Sequence, residues 1–149
     1  MFAIVRPDSW NLPLFVHVAG AMLLVATLVV VAVLSAGALR RGDGAAALAR
    51  LSFRGLLIGV IPGYLVMRIG SEWVASEEAV GDPGWVGIGY TTADGGLLLI
   101  LIATGLAWRA ARRAGPEGSG GMGRAVTVLV GIALVAYLVA IWAMTTKPD

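Results

Sequence analysis

The chain has 149 residues, of which 58% are hydrophobic and 13% are charged, whereas soluble domains carry about 25% charged residues. That imbalance excludes an ordinary soluble domain, and the absence of cysteine excludes disulfides, thiolate metal sites and cysteine nucleophiles. The net charge of +2 does not indicate nucleic-acid binding, because most of the arginines lie in short connections between apolar segments, where they are typical of topology signals.

Four apolar segments predict four membrane-spanning helices, at about residues 12–39, 54–73, 94–111 and 124–144. The first, Leu12–Leu39, has His17 as its only ionisable side chain, and at ~1.5 Å per residue it is longer than a hydrocarbon layer of ~30 Å. Short connections make consecutive helices antiparallel neighbours. The sequence therefore predicts an all-α, up-down four-helix transmembrane bundle that forms a single domain over residues 1–149.

Local signals predict where these helices begin, bend and end. Pro62 predicts a kink in helix 2, because proline lacks a backbone donor and clashes with the preceding turn. Thr91 and Asp94 are competent N-caps, which predicts that helix 3 begins near Asp94. Ala45–Leu51 is compatible with a helical turn on the surface, and the glycine-rich segment Ala114–Gly123 is typical of a flexible linker.

The connections between the helices differ in charge. Residues 40–54 carry four arginines and one aspartate, and the connection between helices 3 and 4 also has an excess of arginine. In contrast, all the charged residues of Val74–Thr92 are acidic. Arginine-rich short loops stay on the cytoplasmic side of a membrane. We therefore expect a multi-pass protein of a bacterial cytoplasmic (inner) membrane, with both termini outside.

In this orientation four ionisable residues come to a similar depth in the outer third of the bundle: His17, Arg68, Glu72 and Asp94. A charged side chain inside a bilayer is costly, so it usually faces the bundle interior and has a partner. We expect Arg68 to pair with Asp94 or Glu72, with His17 close by. One interpretation is that the four residues form an outward-facing pocket for a small molecule, a metal or a proton. The other is that their roles are structural: Arg68 extends to the lipid headgroups, Asp94 caps helix 3 and His17 hydrogen-bonds a neighbouring helix.

Gly55, Gly59 and Gly63 recur every four residues along helix 2. Small residues at this spacing make a smooth stripe on which another transmembrane helix packs closely. The stripe predicts helix packing, and it is the face through which we expect a homo-oligomer to form.

A cofactor role depends on His17, the only histidine in the chain. Haem in a membrane bundle commonly takes two histidines, or one histidine and one methionine. Met67 and Met144 lie on the same predicted side as His17, and Met22 is a further candidate, so haem or copper binding is one alternative. No catalytic motif of a hydrolase, nucleotide-binding enzyme or zinc protease is present, and the sequence favours a protein that is not an enzyme.

The pattern W-x2-P-x3-H-V-x-G-A in Trp10–Ala21 resembles the first helix of several bacterial multispan families. They include membrane proteins of the copper-resistance D type and a large group of uncharacterised integral membrane proteins. The stretches IPGYLVMRIGSEW (Ile61–Trp73) and YTTADGGLLL (Tyr90–Leu99) are similar to actinobacterial members of that second group. The resemblance implies a multispan membrane fold, and by position it carries over only His17 as a site residue.

The sequence thus favours a small integral membrane protein with a binding or assembly role, either as an accessory subunit of a larger membrane complex or as a homo-oligomer in the lipid bilayer. A haem- or metal-binding redox protein that uses His17 is the first alternative. A small transporter or proton-coupled carrier is the second, although four helices make a poor translocation path unless the protein oligomerises.

Overall fold

The computed structural model describes residues 8–40, 42–78 and 84–146. It consists of a short 3₁₀ turn (Asp8–Trp10), α1 (Asn11–Gly37), α2 (Ala45–Gly55), a π-helical turn (Leu56–Val60), α3 (Ile61–Glu78), α4 (Gly84–Arg113) and α5 (Gly120–Thr146). Four stretches are long and apolar enough to cross a membrane: Asp8–Gly37, Ala45–Glu77, Val86–Arg113 and Gly120–Thr146. The predicted all-α, four-helix membrane bundle is confirmed. Arg41 and Asp82, which contribute to the predicted charge asymmetry, lie outside the described residues.

The second crossing is longer than predicted, because it is helical from Ala45 to Glu78. Ala45, Ala49 and Ser52 recur along one face of α2 and are buried. This buried face packs α2 against α1 and α4. The segment Ala45–Leu51 is therefore the start of the crossing rather than a separate turn on the surface.

Pro62 is accommodated by the π-helical turn that precedes it. Proline has no N–H to donate, so the carbonyl four residues earlier loses its usual partner. Immediately before Pro62, the Ile61 N–H donates to the Leu56 carbonyl, five residues back instead of four. The irregularity of this crossing is therefore a π-helical turn that ends directly before the proline at which a kink was predicted.

Helix α4 begins at Gly84, so the prediction that helix 3 starts near Asp94 is wrong. In the additional segment Gly89 is buried and packs against the methyl end of Met144 on α5. This packing continues the helix past the local capping signals, since tertiary contacts override weak local preferences. Asp94 consequently lies inside α4 and does not cap it.

The four crossings form a ring in which α1 contacts α3 and α5, while α4 contacts α5 and α2. In contrast, α3 and α4 barely touch each other. We call the space between them the α3–α4 gap. The bundle end where α1 and α4 finish and α2 and α5 begin is rich in arginine and is called the basic end, and the end where α3 finishes and α4 begins is called the acidic end. The core between them is apolar and includes Leu24, Leu28, Val60, Ile100 and Val130.

Glycines bring α1 and α3 into close contact. A side-chain carbon at Gly63 would lie 2.8 Å from the backbone nitrogen of Leu24, and one at Gly59 would lie 2.8 Å from Cγ2 of Thr27. Gly55 also faces α1. The glycine stripe therefore packs within the chain, and a homo-oligomer through this face would have to displace α1.

The two connections at the basic end are hydrogen-bonded to each other. The Ala38 carbonyl accepts bonds from the Ser119 N–H at 3.1 Å and from the Ser119 hydroxyl at 3.0 Å. The Gly42 N–H donates to the Pro116 carbonyl at 3.0 Å. Gly118 has a φ of 89°, a conformation that glycine adopts without steric cost. The segment predicted to be a flexible linker is instead a defined turn, because the first connection supplies partners for its backbone.

A candidate binding site at the acidic end

Arg68, Glu72 and Asp94 meet at the α3–α4 gap, and we call them the charged triad. Arg68 Nη1 lies 2.8 Å from Glu72 Oε1, one helical turn further along α3. Arg68 Nη2 lies 3.8 Å from Asp94 Oδ1 on α4, and the guanidinium carbon lies 4.7 Å from the centre of the Tyr90 ring. The predicted pairing of Arg68 with a nearby carboxylate is confirmed. The planar guanidinium group thereby bridges two helices that otherwise have few contacts.

The two carboxylates of the charged triad are held unequally. The Arg68–Glu72 distance of 2.8 Å is that of a charge-assisted hydrogen bond, whereas 3.8 Å from Arg68 to Asp94 is beyond hydrogen-bond length. The Arg68 side chain is 27% exposed and that of Glu72 is 56% exposed, but that of Asp94 is 69% exposed. With one guanidinium and two carboxylates, the triad has an excess negative charge, and Asp94 is the less well paired of the two acids.

Packing between α4 and α5 defines the depth of Asp94. Gly96 packs against the Tyr137 hydroxyl, so Asp94, two residues earlier on α4, is level with the middle of that half of α5 which is nearer the acidic end. Trp142 is exposed and lies about one helical turn closer to the acidic end of α5. Exposed tryptophans are typical of the membrane–water interface, which places Asp94 on the bilayer side of this tryptophan.

Two buried tyrosines lie on the interior side of the charged triad. Tyr64, one helical turn before Arg68 on α3, and Tyr137 on α5, whose hydroxyl meets Gly96 of α4, are almost fully buried. The Tyr137 hydroxyl has no hydrogen-bond partner among the described residues. A buried hydroxyl without a partner retains its desolvation cost. The interior side of the site therefore has hydrogen-bonding capacity that the described chain does not use.

His17 lies on α1 and faces α3. Its Nδ1 is 3.0 Å from the Met67 carbonyl oxygen, and because a carbonyl only accepts, Nδ1 carries the hydrogen and donates it. The His17 backbone packs against Gly70. Within residues 8–40, 42–78 and 84–146, no hydrogen bond or ion pair joins His17 to the charged triad. His17 is near the depth of Arg68, the neighbour of Met67, but its hydrogen bond is to the main chain.

The candidate metal ligands are distributed over different faces of the bundle. In the part of the chain that the structure describes, no three histidine, aspartate or glutamate side chains are arranged to hold a metal ion. Met67 contacts His17 through its carbonyl oxygen, Met144 packs on Gly89 of α4, and Met22 is exposed. Since Nδ1 of His17 is engaged, the haem or copper alternative depends on His17 Nε2 as a ligand.

An apolar layer separates the charged triad from the basic end. Its fully buried side chains are Leu24, Leu28, Val60, Ile100, Val130 and Ala133. Two threonines at this depth, Thr27 and Thr104, donate to carbonyls of their own helices. The described residues therefore form a polar site that faces the acidic end and is closed toward the basic end.

Three tyrosines of this site are missing from the set of residues predicted from the sequence. Tyr64 and Tyr90 each precede a triad residue, Arg68 or Asp94, by four positions, and residues four apart share a helix face. That spacing is a signal from which both could have been found. No comparable signal identifies Tyr137, because its position opposite Gly96 depends on the register between α4 and α5.

No known protein family, curated protein or solved structure matches the chain. The resemblance to the copper-resistance D type and to uncharacterised bacterial membrane proteins therefore stays a prediction.

Proposed function

We propose that this protein is a binding or assembly subunit of a membrane complex, that it is not an enzyme, and that the charged triad is its recognition site. The observation that carries the proposal is the Asp94 carboxylate, which is 69% exposed and lies 3.8 Å from Arg68, its cationic neighbour among the described residues, although it belongs to a helix of membrane-spanning length and hydropathy. Ionisable residues at such positions are costly and are usually functional, with a partner that neutralises them. In this protein the partner comes from outside the chain.

The orientation of the bundle supports recognition on the outer side of a bacterial cytoplasmic membrane. The described residues at the basic end include Arg40, Arg109, Arg113 and Arg124, and arginines close to the ends of membrane-spanning helices keep that end in the cytoplasm. The acidic end and both termini then face the outside. In this orientation the charged triad lies in the outer leaflet, next to the interfacial aromatic residues.

Two features favour recognition of another protein over the alternatives. The glycine stripe already packs on α1, so it is not free to form a homo-oligomer. The apolar layer of Leu24, Leu28 and Ile100 offers no groups to a solute or proton crossing the bundle, which favours binding over transport. Within the described residues, the charged triad at the α3–α4 gap is the accessible polar cluster of the acidic end.

The test is to purify the tagged chain from the cells that encode it, in a mild detergent, and to measure its size in the native state. We expect a complex larger than the 15.4 kDa chain with its detergent. Asp94→Asn should reduce the recovered complex, while Asp43→Asn, an exposed aspartate at the basic end, should not. If the wild type is monomeric both in detergent and in lipid nanodiscs, the assembly role is refuted.

A further inference from the structure

The exposed face of α4 beside Asp94 lacks side chains that would keep another helix at a distance. Gly87, Thr91 and Gly95 recur every four residues, and they and Asp94 are all exposed. A side-chain carbon built at Gly87 or Gly95 meets nothing within 4 Å. Small residues at this spacing allow transmembrane helices to approach closely. We call these four residues the α4 docking face, and on it a second backbone can approach Asp94.

The other exposed faces lack this combination. Next to the triad, α3 exposes Leu65, Ile69 and Trp73, which are bulky apolar or interfacial side chains suited to lipid. On α5 a groove surrounds Gly131, but its lining is apolar apart from Thr127, so no charge specifies an occupant. Among the described faces, the α4 docking face alone has both open glycine positions and an incompletely paired carboxylate.

We infer that the α4 docking face binds a transmembrane helix of a different protein, and that this helix carries a lysine or arginine at the depth of Asp94. The inference rests on the assembly role proposed above. One cation from the partner makes the triad neutral. The Arg68–Glu72 contact at 2.8 Å remains, and the partner's cation forms an ion pair with Asp94, which lies 3.8 Å from Arg68. Pairing and removal from lipid both lower the cost of this carboxylate.

Charge complementarity also argues against a second copy of this chain as the occupant. Of the lysines and arginines in the described residues, only Arg68 lies in the acidic-end half of the bundle. Arg68 already makes a short contact with Glu72, and a second copy would bring two further carboxylates with only one further guanidinium group. Two copies would therefore add to the excess negative charge at the interface, whereas a basic helix of another protein removes it.

Site-specific photo-crosslinking in native membranes tests this inference. A photoreactive residue replaces Thr91 on the docking face, and the matched control carries it at Val135, an exposed position on α5. We expect a crosslink from position 91, but not from 135, to a membrane protein that has a lysine or arginine in the crosslinked helix. Asp94→Asn should lower the yield on the order of tenfold, which corresponds to about 1.4 kcal/mol, while Asp94→Glu retains most of it.

A steric variant separates close approach from charge. Gly95→Leu keeps Asp94 but places a bulky side chain on the docking face, and Gly131→Leu places the same side chain at an equally open position on α5. We expect only Gly95→Leu to abolish the crosslink from position 91. Because neither position has a neighbouring atom within 4 Å, both variants should retain the wild-type circular dichroism spectrum, which is the check on folding.

Each remaining outcome contradicts the inference in an identifiable way. Crosslinking of position 91 to a second copy, or to a helix without a basic residue, overturns it but leaves the assembly role intact. If a complex survives purification but position 91 gives no crosslink, the interface lies elsewhere. This result also overturns the inference and leaves the assembly role intact. Crosslinking to lipid alone, together with a monomeric protein on purification, overturns both the inference and the proposed function.

Discussion

Replacement of Gly63 by alanine measures how far the fold depends on close contact between α1 and α3. The added carbon would lie 2.8 Å from the Leu24 nitrogen, 3.0 Å from the Leu24 Cα and 3.3 Å from the Leu23 carbonyl carbon. All three atoms belong to the backbone of α1, so no side-chain rotation relieves the contact. The helices themselves must separate.

The expected cost follows from that separation. Moving the closest contact from 2.8 Å to the 3.4 Å of ordinary van der Waals contact opens the interface by about 0.6 Å, and a gap of ~0.5–1 Å forfeits a quarter to a half of each dispersion contact. Overpacking of this kind typically costs about 1–3 kcal/mol. Gly20 and Gly70, which also pack on backbone across the same interface, would lose contact as well.

Gly131→Ala on α5 is the matched control. A side-chain carbon at Gly131 meets nothing within 4 Å, while the gain in helix propensity, up to about 1 kcal/mol, is common to both variants. The difference between the two unfolding free energies therefore isolates the steric contribution. We expect Gly63→Ala to be less stable than Gly131→Ala by about 1–3 kcal/mol.

Reversible unfolding in mixed micelles, followed by circular dichroism at increasing SDS fraction, provides the measurement. A lower midpoint for Gly63→Ala than for Gly131→Ala is the predicted result. Equal midpoints would refute the reasoning, because they would mean that α1 and α3 do not depend on the close approach described above.

Two further predictions concern hydroxyl groups. Tyr137→Phe removes a buried hydroxyl that has no hydrogen-bond partner among the described residues. We expect the unfolding free energy to stay unchanged or to rise by up to about 1–3 kcal/mol. A clear loss of stability in the same assay would show that the hydroxyl has a partner. Ser119→Ala removes the bond to the Ala38 carbonyl at 3.0 Å and should cost about 0.5–1.5 kcal/mol, whereas Ser76→Ala, an exposed serine bonded to its own helix, should leave the melting temperature unchanged.

Hydropathy was sufficient to predict the architecture, but not where the helices begin. The apolar segments define four crossings because a lipid environment requires their backbone groups to be paired within a helix. The capping signal at Asp94 was misleading, since packing of Gly89 on Met144 extends α4 to Gly84. The hydrogen bonds of Ser119 likewise depend on a residue far away in the sequence, Ala38, and no local pattern reports them.

The charged triad was predictable for a different reason. Charges are rare in transmembrane segments, so Arg68 and Asp94 stand out, and the charge asymmetry of the connections predicted that they share one end of the bundle. The hydrogen bond from His17 on α1 to the main chain of α3 was not predictable, because it depends on the close packing of the His17 backbone on Gly70. The role of Tyr137 depends in the same way on helix register.

The hydrogen bonds between the two connections at the basic end have a mechanical consequence. Helices α1 and α3 form one close-packed pair and α4 and α5 form another. The two pairs are fastened at the basic end through Ser119 and Gly42, while at the acidic end α3 and α4 are bridged mainly by the Arg68 side chain. The Arg68 side chain is therefore the crosspiece between α3 and α4 at the acidic end, whereas main-chain hydrogen bonds join the two pairs at the opposite end.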